Sequence, residues 1–114
     1  MAARRAADAA STACLVAFTA TGSTARRLAR ERPLQPVLAL TPYLKVARRL
    51  ALVWGLEPRE ASDPTNVDEM TAEAVEIAAE LGLAKSAERI LILAGVPFGA
   101  PGSANMLRFA HAPI

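Results

Sequence analysis

The stretch Thr19-Ala-Thr-Gly-Ser-Thr24 sets four hydroxyls around one glycine, where an apolar run gives way to a helical pattern. Free backbone N–H groups and the positive end of a helix dipole favour an anion at such a start. Thr19, Thr21, Ser23 and Thr24 can all donate O–H bonds to phosphate, and Gly22 allows a tight backbone path. The same residues admit a plainer use, in which Ser23 or Thr24 caps the helix. The sequence leaves both readings open, and it excludes a Walker loop, because the lysine and the spacing are missing. A second candidate loop runs from Gly95 to Asn105, with Gly95, Gly99, Gly102 and Ser103 beside two prolines. Such a backbone is constrained yet can approach a ligand closely, and the alternative is a long hairpin turn. A third, Thr41-Pro42-Tyr43, again puts a hydroxyl at a helix start, where capping is the expected role.

No catalytic set emerges elsewhere. His111 has no Ser, Cys or carboxylate partner readable from spacing, and Cys14 opens an apolar run in which it should be inert packing. One histidine and one cysteine make no metal cluster. Trp54 is expected in a core or an interface, and Arg48 with Arg49 on a solvated helix face.

The elements that must position these residues come from a chain of 114 residues, 53% hydrophobic and 21% charged, which fits one folded domain over 1–114. Thirteen Lys and Arg against eleven Asp and Glu leave a net +2, too little and too dispersed to imply nucleic acid. A lone cysteine suits a reducing, cytoplasmic setting. The apolar run around Ile90–Ala94 is far short of the roughly 20 residues that span a bilayer, so no membrane segment is expected.

Ala-rich residues Ala2 to Thr12 read as a helix, and Cys14 to Thr19 as a buried strand. A helix over Ala25 to Glu31 stops at Pro33, and Val37 to Leu40 form a second strand. Thr41 as cap and Pro42 at the first helical position start a helix reaching about Val53, which Gly55 ends. Leu56 to Pro64 hold two prolines and give at most a short third strand. Asn66 with Glu69 three residues on suggests a capping box, ahead of Val67, Met70, Ala74, Ile77 and Leu81 at helical spacing, closed by Gly82. Ile90 to Leu93 suit a strand buried on both faces, and Met106 to Ala110 form the last strand. The alternation predicts an α/β three-layer sandwich with a mostly parallel sheet of about five strands. The last connection is too short for a crossover helix, so the last strand should be antiparallel.

In order along the chain, these motifs resemble the C-terminal domain of pyruvate kinase, bacterial type. Thr19 to Ala25 with Arg30-Glu-Arg-Pro33 is similar to the family's hydroxyl-rich loop, helix and Arg-Pro stop. Val37 to Thr41 resembles its second strand, and Ala47 to Pro58 its helix-and-turn signature. Asn66 to Leu83 resembles the following helix, and Ile90 to Asn105, with Gly95-Val-Pro-Phe-Gly99, the closing strand and loop. The resemblance implies a regulatory and oligomerising domain that works with the catalytic domains of pyruvate kinase and does not itself transfer phosphate. It implies Mg²⁺ and K⁺ only for the catalytic barrel, and no cofactor in this chain. It also implies a phosphorylated effector whose phosphate sits on Thr19, Thr21, Gly22, Ser23 and Thr24. The Trp and Arg that serve fructose bisphosphate in some members are unmatched in Val96 to Gly102, which points to a sugar monophosphate or AMP. Ala87-Glu88 stands where Gly-Asp is frequent, and Ala104 where Thr is frequent. The alternative is an assembly module of the same fold with a vestigial effector site.

Overall fold

Alternating apolar residues in three central strands have to bury both faces of a sheet, and the computed structural model, which describes residues 12–62, 66–94 and 106–111, shows how. The elements are β1 (Cys14–Phe18), α1 (Ser23–Arg30), β2 (Val37–Thr41), α2 (Leu44–Leu50), β3 (Leu56–Glu60), α3 (Val67–Glu80), β4 (Arg89–Ala94) and β5 (Met106–His111). One five-stranded sheet has the order β3-β2-β1-β4-β5. The first three pairings are parallel and β4 with β5 is antiparallel, in the register Leu91↔Phe109 and Leu93↔Leu107. The α/β three-layer fold expected from the sequence is therefore present.

The two-residue period of the strands divides the core. Cys14, Val16, Phe18, Leu38, Leu40, Ile90 and Ile92 point to one face, where α3 lays down Met70, Ala74 and Ala78. Leu15, Ala17, Val37, Ala39, Leu91 and Leu93 point to the other and meet Ala25 and Leu28 of α1 and Val46 and Leu50 of α2. Leu28 is fully buried, and truncating such a residue to Ala costs about 2–5 kcal/mol. The alanines of α3 let that helix lie close to the sheet, so a small side chain here does the work of packing.

The helix over Ala2 to Ser11 lies outside the described residues, and Thr12 precedes β1 without helical structure. The helix expected from Thr41-Pro42 to about Val53 is shorter, Leu44–Leu50, with Tyr43 at its N-cap. Thr41 is the last residue of β2: it pairs with Glu60, and its carbonyl accepts the Ala61 N–H at 2.9 Å. Its backbone is thus committed to the sheet. At the other end Leu52 and Val53 donate to Arg49 and Leu50, three residues back, which tightens the chain out of the α-helix before Gly55 turns it at φ +89°. The short third strand expected within Leu56 to Pro64 is present as β3, pairing with β2 along all five residues; it is an edge strand, where Pro58 is tolerated.

Candidate functional site

Because β1 sits between β2 and β4, the chain leaves β1 toward β2 and later returns to β1's other side as β4. Beyond the carboxyl ends of strands at such a reversal lies the crevice where open α/β sheets bind ligands. The 19–24 loop follows β1 directly into it. Thr19 anchors the loop, its N–H donating to the Leu40 carbonyl at 2.9 Å. Its buried Oγ1 accepts the Gly22 N–H at 2.7 Å, which folds the loop back on itself.

Gly22 is required twice. Its φ of +94° lies in the left-handed region, and a Cβ there would stand 3.2 Å from Leu50 Cδ2 of α2. Gly22 is also the N-cap of α1, so no side chain caps that helix, and its first turn contains no acid. The capping role considered for Ser23 or Thr24 is not what the loop adopts: Ser23 already belongs to the helix, and Thr24 is buried. Thr21 is exposed; its hydroxyl donates to Ser23 Oγ at 3.3 Å and accepts the Ser23 N–H at 3.4 Å. The result is a hydrogen-bonded turn that carries the exposed Thr21 and half-buried Ser23 hydroxyls beside the positive end of an eight-residue helix.

The other sequence candidates separate. Gly95, Gly99, Gly102 and Ser103 follow β4 in the chain and lie outside the described residues. Thr41 Oγ1 accepts the Tyr43 N–H at 3.2 Å, so that hydroxyl fastens a turn. Cys14 is fully buried, and burial pushes its thiol up to about 12. His111 and the Arg48–Arg49 pair are exposed. Trp54, expected in a core or an interface, leaves 81% of its surface in water within this chain. It stands at the opposite end of the sheet from the 19–24 loop, beside a cleft of about 290 Å³ that it shares with Arg26, Ala29, Arg30, Arg32 and Val53. The sequence signal for that cleft, four arginines in Arg26 to Arg32 and one tryptophan twenty-two residues later, gives no hint that they meet.

Among the described residues no helix is long and apolar enough to cross a membrane. The family model described as pyruvate kinase, alpha/beta domain, matches residues 1–110. Pyruvate kinase of Methylorubrum extorquens is 46% identical over 96 residues, covering 84% of this chain and 20% of that protein. Pyruvate kinase of Geobacillus stearothermophilus is 42% identical over 96 residues, 84% of this chain and 16% of that one. Cryptosporidium parvum pyruvate kinase in complex with ADP superposes with a TM-score of 0.86 at 27% identity, over 98% of this chain and 22% of that chain. The chain spans about a fifth of the length of these relatives, and the stretch they share contains every motif from the 19–24 loop to β4. On sequence and fold together, the chain belongs to the pyruvate kinase alpha/beta-domain family.

Proposed function

We propose that residues 1–114 act as the regulatory and assembly domain of a cytoplasmic pyruvate kinase, holding the phosphate of a small effector, a sugar monophosphate or AMP, on Thr19, Thr21, Gly22, Ser23 and Thr24. The observation that carries this reading is the N-terminus of α1, which has no side-chain cap, no acid in its first turn and a glycine turn in front of it. Hydrogen bonds from such N–H groups and hydroxyls to an anion are charge-assisted and stronger than neutral ones. Affinity is modest, because the loop has no Lys or Arg, and Arg26 and Arg27 stand a turn into the helix. Calorimetric titration with ribose 5-phosphate and glucose 6-phosphate tests the reading. A Ser23→Ala, Thr24→Ala double variant should bind about tenfold more weakly; equal affinity in the variant contradicts it.

Assembly rests on β5. This edge strand leaves Leu107 47% and Phe109 44% exposed, on the face opposite Arg108, which is ion-paired with Asp68 of α3. Unpaired backbone groups beside exposed apolar side chains suit a second copy of the chain. Light scattering should give a dimer or larger above micromolar concentration, and a monomer there contradicts this part. The purified chain should form no pyruvate from phosphoenolpyruvate and ADP.

A further inference from the structure

α1 has a second end, and the surface there is built differently from the loop at its start. Arg26 and Arg30 stand one turn apart, about 6 Å along the axis, on the side of α1 that faces the 51–55 turn. Arg32 follows the helix at φ +47°, with its guanidinium 6.0 Å from the centre of the Trp54 ring. None of the three forms an ion pair with a described residue, and the residues lining the cleft include no acid. The helix dipole accounts for basic residues near the last turn of α1. It does not account for an indole left 81% exposed across a 290 Å³ concavity from two of them. The concavity is open to solvent, and it combines an apolar wall with a few convergent polar groups, as small-molecule sites do.

We propose that this cleft binds a nucleoside monophosphate, its base against Trp54 and its phosphate between Arg26 and Arg30, independently of whatever the 19–24 loop holds. A bare phosphate would use the arginines and leave the indole idle; a neutral ring would do the reverse. A flat base joined to an anion uses both, with stacking on the indole and forked hydrogen bonds from the guanidiniums.

The chain has one tryptophan, so its fluorescence reports this cleft alone. Titrating the 114-residue chain with AMP should quench that fluorescence saturably. Arg26→Ala and Arg30→Ala should each weaken the apparent affinity about tenfold, the usual loss for a charge-assisted bond. Lys45→Ala, which removes one charge from the first turn of α2, should leave it unchanged. All three residues are solvent-accessible, and circular dichroism checks that each variant is folded. Ribose 5-phosphate should compete at least tenfold more weakly than AMP. No saturation at millimolar AMP, equal quenching in the arginine variants, or equal competition by ribose 5-phosphate overturns the proposal. AMP bound in the 19–24 loop instead would leave Trp54 unquenched and be weakened by Ser23→Ala, which also overturns it.

Discussion

The starts of α1 and α3 solve the same problem in opposite ways. Each helix begins with N–H groups that have no partner inside it. At α3, Asn66 Oδ1 accepts the Glu69 N–H at 2.8 Å, and Asp68 and Glu69 place negative charge on the positive end of the dipole. At α1 the N-cap is a glycine, the first turn has no acid, and the nearby Thr19 oxygen is turned to the Gly22 N–H. One helix start is neutralised by its own side chains; the other has no side-chain cap and no acid in its first turn. The difference teaches that hydroxyls near a helix start say little until the position of the cap is known.

Both helices hang on a tightly sealed sheet, and the largest expected effect tests that seal. Cys14 in β1 is fully buried, its thiol raised from 9.0 to about 12 by desolvation. A thiol reagent should therefore label the native chain about a thousandfold more slowly than the urea-unfolded chain at the same pH. The sign for stability follows: the native state holds this proton longer, so the contribution is full below pH 9 and is lost as pH rises toward 12. Urea midpoints measured across that range should fall.

Next in size is Gly22→Ala, which forces an L residue to φ +94° and brings a methyl to 3.2 Å from Leu50. It should lower stability by about 1–3 kcal/mol in urea unfolding and remove phosphate binding. Asn66→Ala should cost about 1 kcal/mol and leave phosphate binding intact, because it removes a cap. Ser23→Ala should cost under about 0.5 kcal/mol yet weaken binding, because Ser23 caps nothing. Smallest is Ser23→Asp, which supplies the acid that α1 lacks. It should stabilise the chain by about 0.3–1 kcal/mol while opposing any anion, so thermal midpoint and affinity move in opposite directions.

Much of this fold is legible because its strands are simple. Cys14 to Phe18 and Ile90 to Leu93 are short apolar runs that only a sheet covered on both faces can bury, and the spacing of Met70, Ala74 and Ile77 marks a helix without ambiguity. Thr41-Pro42 misleads because its local signal, cap then proline, is overridden by pairing with Glu60, a residue nineteen positions on. At the candidate site the sequence identifies the hydroxyls and the glycine. It does not reveal that Gly22 itself is the N-cap, which depends on Thr19 turning inward and on Leu50 closing over the turn from α2. The Trp54 cleft is illegible for the same reason: α1 and the 51–55 turn become neighbours only once β2 and β3 pair.

Whether the open start of α1 takes an anion is reported most directly by the backbone amides there. In a titration of the labelled chain with ribose 5-phosphate followed by NMR, the amides of Gly22, Ser23 and Thr24 should shift together and saturate. Those of Val67, Asp68 and Glu69 at the capped start of α3 should stay in place. Amides at 22–24 that remain unmoved at millimolar ligand, or that move no more than those of α3, would contradict it.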